Sequence, residues 1–330
     1  SRGNQRADFG SPRSLAIRLM RFLKAWRSQK RDPKRHTDWE VGATPGRSLP
    51  FALCYNHNQT QTKRVKVMFT MPEKIIYALP EQIGNTELFV GRKKEFDYFL
   101  GDWYDYLVNN MAQSQAIVAR RKKGKTAFLQ RLFNILWSCL DTGVIPFYYV
   151  IQDKPVTLSG FAEDFFTQFM WQFLSFRDRK EDYLSYPIGF EKLAPLVEGD
   201  KHLTDAYETM AIKKKEDDWD GMWNTASRLP AALATVKKMK IVQIIDEFQN
   251  INTYIVDERR NTIDSLSGTY LDLAEKREAP LIISGSEVHG LLEIVRRLTA
   301  RFEENVLENL PEEEAKEAIR KYAEIYRTKI

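Results

Sequence analysis

From about residue 70 onward, apolar positions alternate between two periods, and they mark out an α/β chain. Residues 71–85 form an extended lead-in with two prolines, and residues 93–110 carry Phe96, Phe99, Trp103 and Tyr106 at helical spacing. Ala116-Ile-Val118 reads as a short buried strand. Residues 127–137, with Phe128, Leu129, Leu132, Phe133 and Leu136, read as the helix after it. A second buried strand covers residues 144–151 behind an Asp-Thr-Gly turn, and an aromatic helix follows over 161–176. Residues 177–222 are charged with few clear periods, and their run Lys213-Lys-Lys-Glu-Asp-Asp218 is expected to be a solvated loop. A short helix over 225–239 leads into an apolar strand from Lys240 that ends in two adjacent acids, Asp246 and Glu247. Its unbroken Ile/Val run suits a central parallel strand buried on both faces. A helix over 257–276, a strand over 281–286 and a helix opening after Leu310-Pro311 complete the pattern; acids fill the first turn of the last helix, as its dipole favours. No internal repeat is present.

The strand–helix junction holds the most informative chemistry. Its loop, Ala119-Arg-Arg-Lys-Lys-Gly-Lys-Thr126, matches a phosphate-binding loop whose first glycine is alanine. Backbone N–H groups of such a loop and of the helix start cradle phosphate. That assigns Ala119, Arg120, Arg121, Lys122, Lys123, Gly124 and Ala127 as nucleotide contacts, with Lys125 on the β/γ-phosphates and Thr126 on Mg²⁺. Gly124 is the demanding position, because the backbone approaches phosphate there, whereas alanine at 119 is tolerated unless φ must be positive. Taken alone, the loop also fits a basic turn between a strand and a helix. The acidic pair argues for a nucleotide, since ligands bind beyond the C-terminal ends of strands in open α/β sheets. Asp246 is placed to hold Mg²⁺ and Glu247 to act as general base on water.

Composition narrows the alternatives. The chain has 330 residues, 43% of them hydrophobic, which is room for one large or two ordinary domains, and no apolar run approaches a membrane span. Two cysteines and four scattered histidines provide neither a disulfide framework nor a zinc set, which fits a reducing cytoplasm. Charge is uneven: residues 1–66 carry net +11 and the remainder net −6, together the overall +5. Residues 14–29 fit a basic amphipathic helix able to touch acidic lipid, nucleic acid or a receptor. The plainer reading of residues 1–69 is a disordered or non-native extension, with a start at Met68 or Met71.

With Phe89-Val-Gly-Arg92, the Gly-Lys-Thr loop, Asp246-Glu-Phe-Gln249 and Ser284-Gly-Ser286 in that order, the chain resembles the archaeal-type ATPases of the AAA+/STAND superfamily over residues 70–330. The resemblance implies a P-loop NTPase three-layer sandwich, its mainly parallel sheet carrying a sensor strand between the phosphate-loop and acidic strands. It implies an ATPase core over 70–309, an insertion near 177–222, and the start of a helical lid over 310–330, cut short. Val90, Gly91 and Arg92 are implied as contacts on the adenine side, and Pro311 as packing against the base. Ser286, or alternatively Ser284, is implied as the γ-phosphate sensor. Arg301 is implied as an arginine acting on the γ-phosphate in cis or across an oligomer interface, unless it pairs with Glu303 or Glu304. The chain lacks the glycine usual before that arginine.

The expected activity is Mg-dependent ATP hydrolysis in a switch that engages a protein partner or a second copy. Two other classes stay open: a nucleotide-binding scaffold with little turnover, and a DNA-associated ATPase whose DNA-binding region lies elsewhere. The acidic charge of the core does not favour DNA.

Overall fold

Five parallel strands form the central sheet, in the order β2-β4-β6-β1-β7. The computed structural model describes residues 66–185, 189–263, 266–298 and 301–326, all within one compact unit, Lys63–Ile330. The basic helix expected over 14–29 lies outside the described residues.

In chain order the elements are α1 (Lys93–Asp97), α2 (Trp103–Val108), β1 (Ser114–Val118), α3 (Lys125–Ser138), β2 (Val144–Val150), β3 (Val156–Thr157) and α4 (Leu158–Asp178). Next come α5 (Asp182–Ser185), α6 (Ala194–Val197), α7 (Lys201–Lys215), α8 (Trp219–Lys237), β4 (Lys240–Asp246) and β5 (Ile255–Val256). The last are α9 (Tyr270–Leu273), β6 (Leu281–Gly285), α10 (Val288–Arg297), β7 (Phe302–Val306) and α11 (Glu312–Tyr326). A π-helical turn, Tyr98–Asp102, joins α1 to α2.

Strands β1 and β6 are buried along their whole length, and β4 along all but its first residue, which explains their unbroken apolar character. The registers Val118↔Gly285 and Ile245↔Ile283 bring the C-terminal ends of β1, β6 and β4 to one edge. The sensor strand β6 separates phosphate-loop strand β1 from acidic strand β4, as the resemblance implies.

Helix α3 packs Phe128, Leu129, Leu132 and Phe133 into the core. Its polar side chains bind the extended lead-in: Gln130, Asn134 and Ser138 accept from the backbone N–H groups of Gln82, Leu79 and Ile76 at 2.8–2.9 Å. Arg131 forms a buried ion pair with Glu81 at 2.7 Å. Side chains of a helix thus supply the partners that a neighbouring strand would otherwise give this chain.

Two expectations are corrected. The charged segment 177–222 is largely helical. Lys213, Lys214 and Lys215 form the last turn of α7, where cations suit the dipole, and Asp218 caps α8 through Gly221 N–H at 2.9 Å. Leu203 and Met210 of α7 are buried, and Ala206, Tyr207 and Ala211 are half-buried against the core on the same face, a helical stripe within the charged segment. The helix expected over 257–276 shrinks to a 3₁₀ turn and α9. The Asp257 carboxylate accepts from the N–H groups of Arg259 and Asn261, and Arg260 is left-handed (φ 69°), so the side chain takes the amides a helix would use. Helix α10 and edge strand β7 stand outside the expected elements, although α10 carries Val288, Leu291, Leu292 and Val295 at helical spacing.

Candidate functional site

The loop leaving β1 supplies the site's floor. Ala119 is buried and does not adopt positive φ, so alanine costs nothing conformationally where glycine was expected. The left-handed positions are Lys122 (φ 66°) and Gly124 (φ 75°). A β-carbon on Gly124 would meet nothing within 4 Å, so glycine is needed there for its backbone conformation and not for room. Gly124 also caps the N-terminus of α3, whose first residues are Lys125 and Thr126.

Those two side chains converge on the end of β4. Lys125 Nζ lies 2.6 Å from Asp246 Oδ1 and 2.8 Å from Glu247 Oε1. Thr126 Oγ1 donates to Asp246 Oδ2 at 2.7 Å, and Ser284 Oγ donates to Asp246 Oδ1. Ser286 donates to Glu247 Oε2 through its hydroxyl at 2.8 Å and its backbone N–H at 3.2 Å. Gln249 Nε2 reaches the same oxygen at 2.6 Å. Glu247 itself is left-handed (φ 54°), which turns its carboxylate back toward Lys125 at the strand end. Burial alone would raise its pKa, but hydrogen bonds from Lys125 and Gln249, the Lys125 charge and the Ser286 hydroxyl outweigh this and hold it at about 2. Tyr148, from β2, points its hydroxyl at Asp246 Oδ2 from 3.4 Å; burial first, then the Asp246 charge, push that phenol far above its ordinary range.

Among the described residues no group of three or more His, Cys, Asp or Glu is able to hold a metal. Thr126 and Asp246 instead present two oxygens side by side, a pair that fits Mg²⁺ when phosphate and water complete its shell.

Beside the loop lies a cavity of about 500 Å³ bounded by Val90, Arg92, Lys123, Gly124, Ala127 and Leu310, among others. It joins the predicted adenine-side box to the phosphate loop. Arg92 N–H donates to Glu314 Oε2 at 2.8 Å, which fastens α11 over the cavity. Gly91 (φ 83°) must lack a side chain, since a β-carbon would stand 2.5 Å from that same oxygen.

Not every assigned residue lands where the motifs suggest. The Arg92 guanidinium is buried against the Lys123 carbonyl and Glu95, bracing the phosphate loop. Leu310, and not Pro311, borders the cavity; Pro311 is exposed and its carbonyl accepts from Ala315 N–H at the start of α11. Arg120, Arg121 and Lys122 are exposed on the loop, while Lys123 bonds to Asn309. Arg301 is corrected more substantially. It precedes Phe302, which pairs with Ser114 at the start of β1, so it sits at the opposite edge of the sheet, about 16 Å of strand away. It binds Glu275 Oε1 at 2.7 Å. The register therefore places Arg301 away from the Gly-Lys-Thr loop of its own chain.

Motif matching left two participants without a role. Gln249 lies within a quoted motif, and only the fold shows that it binds Glu247, as it shows that Ser284, the alternative sensor, binds Asp246. Glu314 lies in an acid run that the helix dipole already explains, so nothing local marked it.

Neither a protein-family profile nor a curated relative matches the sequence. Among solved structures, the Walker-type ATPase of Pyrococcus abyssi is 11% identical at a TM-score of 0.44, over 77% of this chain and 64% of that one. The Aeropyrum pernix ORC2 protein in ADPNP-ADP complexes is 14% identical at a TM-score of 0.35, over 80% of this chain and 56% of that one. Its ADP form is 15% identical at 0.34, over 68% and 50%. The chain thus spans less than two thirds of the length of each. Its own strand order, left-handed Gly124 before Lys125, and Asp246 at the end of β4 give it a P-loop NTPase fold.

Proposed function

We propose that the chain is an ATP-binding and ATP-hydrolysing switch domain of the AAA+/STAND type. The observation that carries this reading is the convergence of Lys125, Thr126, Asp246 and Glu247 beyond the C-terminal ends of β1 and β4. Loop amides and the start of α3 would receive the β- and γ-phosphates, and Lys125 would leave the carboxylates to neutralise them. Thr126 and Asp246 would hold Mg²⁺, which when bound offsets charge on the phosphate oxygens. Glu247 would take a proton from water as the water oxygen bonds to the γ-phosphorus. The bond from that phosphorus to the β–γ bridging oxygen breaks, and ADP and phosphate leave. Ser286, half-buried at the tip of β6, is the hydroxyl best placed to sense the γ-phosphate, and the adenine base would lie in the cavity under α11. Loss of the γ-phosphate would return Lys125 to its carboxylates and alter a contact with a protein partner or a second copy.

Steady-state hydrolysis by the full chain tests this. Glu247→Gln is expected to bind Mg-ATP yet lose about 100-fold or more in kcat, and Lys125→Ala to lose nucleotide affinity. Turnover by Glu247→Gln at the parent rate would overturn the reading.

One observation favours a nucleotide-binding scaffold as the second reading. Both Glu247 oxygens are engaged, Oε1 by Lys125 and Oε2 by Ser286 and Gln249, an arrangement that suits a resting carboxylate. Tight nucleotide binding with no turnover in the parent chain would establish that alternative.

A further inference from the structure

Gly285 lies in β6 at ordinary negative φ, so no backbone conformation requires glycine there. Space does. A β-carbon at this position would stand 2.2 Å from Gln249 Oε1 and 3.2 Å from both Gln249 Cδ and Leu291 Cβ. Gln249, on the 3₁₀ turn Phe248–Asn252 after β4, lays its carboxamide directly over the Gly285 Cα. The side chain is only 7% exposed.

Its two ends are treated unequally. Nε2 donates to Glu247 Oε2 at 2.6 Å and more weakly to Asn250 Oδ1 at 3.3 Å, whereas the buried Oε1 has no hydrogen-bond partner among the described residues. Reversing the amide would satisfy nothing, because it would press Oε1 against the carboxylate. A buried acceptor without a partner is costly, and the charge-assisted bond to Glu247 is the compensation present. The turn is held from the other side by Asn250 Nδ2, which donates to the Ile151 carbonyl at 2.9 Å.

We propose that Gln249 is a positioning residue for Glu247 and that Gly285 exists to give it room. Together with Ser286, Gln249 anchors Oε2. Oε1, held only by Lys125, is then the oxygen that becomes available to water when Lys125 moves to phosphate. The proposal rests on the hydrolytic reading above for its consequence, though not for its geometry.

The test uses the full chain with Gln249→Ala, Gly285→Ala and the double variant, measuring kcat and KM for Mg-ATP. Each single change is expected to lower kcat about tenfold or more with KM within about twofold, since the base is misplaced while the phosphate loop is untouched. The double variant is expected to fall within about twofold of Gln249→Ala alone, because the new methyl then enters the space left by the carboxamide and meets only Leu291 Cβ at 3.2 Å. Multiplying losses, an unchanged kcat, or a rise in KM without loss of kcat would overturn it. A turnover-independent measurement separates this from failure of the ATPase reading: the Gln249 side-chain amide signals in ¹H–¹⁵N spectra, assigned by their loss in Gln249→Ala. Without nucleotide, Glu247→Gln and Gly285→Ala must each shift those signals. If they do so in a chain that does not hydrolyse ATP, the positioning contact stands and the hydrolytic reading falls. If they do not, the contact itself is refuted.

Discussion

Lys125 Nζ stands 2.6 Å from Asp246 Oδ1, with the lysine side chain 6% exposed and the aspartate 1%. The charge that should bind phosphate is therefore held internally when no phosphate is there. Asp246→Ala leaves Lys125 on Glu247 Oε1 at 2.8 Å but takes the acceptor from Thr126 and buried Ser284, so it should destabilise the nucleotide-free chain by about 1–3 kcal/mol. In the parent chain, ATP at about 100 times its Kd should add about 2.7 kcal/mol. Urea unfolding with and without Mg-ATP measures both, and equal stability of the variant and the parent would refute the first.

Lys122 occupies the left-handed region at φ 66° and is exposed at the rim of the cavity, where its side chain does not require that conformation. That conformation costs a non-glycine residue about 1–2 kcal/mol, and the entropy of a new glycine offsets about 0.5–1 of it. Lys122→Gly should therefore raise the urea midpoint by the equivalent of about 0.5–1 kcal/mol while removing one cation from the loop. A lowered midpoint would mean that Lys122 makes a stabilising contact.

Helix α11 is tied across the cavity by the Arg92 N–H bond to Glu314, which the absence of a side chain at Gly91 accommodates. Gly91→Ala adds a methyl 2.5 Å from Glu314 Oε2 at φ 83°, where alanine is strained by about 1–3 kcal/mol. It should weaken nucleotide binding by exposing the base. Glu314→Ala should do the same, whereas Glu314→Gln retains an acceptor for Arg92 N–H and should bind nearly as the parent does. Calorimetric titration with ADP distinguishes the three; weakened binding in Glu314→Gln alone would point to a charge effect instead.

Asp200 caps α7 and binds Lys237 Nζ at 2.6 Å near the end of α8. Burial alone would raise its pKa, but Lys237 and the Leu203 and His202 amides outweigh this and hold it below the ordinary carboxylate value. Its contribution is thus complete above the unfolded-state pKa and lost as pH falls through the lower folded value. Asp200→Ala should cost about 1 kcal/mol at pH 7. That difference should shrink once pH drops below about 4, the unfolded-state pKa. A difference independent of pH from 7 to 2 would show that the carboxylate charge plays no part.

Short-range pattern sufficed for four of the five strands of the sheet. β1, β2, β4 and β6 each fall within a few residues of their expected positions because each is a largely apolar, buried run. It failed where local and tertiary demands compete. Asp257 captures the amides of a segment whose composition suits a helix, while the apolar stripe of α7 (Leu203, Ala206, Tyr207, Met210, Ala211) is set among many charged residues. Arg301 shows the same limit in the site. Its place in a motif suggested proximity to phosphate, but the parallel register Ser114↔Phe302 assigns it to the far edge of the sheet.

What the sequence determined by itself is the chemistry at two points: a loop ending Gly124-Lys125-Thr126 and a strand ending Asp246-Glu247. Residue type and local conformation are enough for that, because a left-handed glycine before a helix and acids at a strand end are local facts. Tertiary structure decided which of these groups meet. The distances from Lys125 to both carboxylates, the grip of Gln249 and Ser286 on Glu247, and the reach of Glu314 to Arg92 join residues from 2 to 222 positions apart in the chain. Those juxtapositions follow from sheet order and register, which depend on how the whole core packs and not on any one segment.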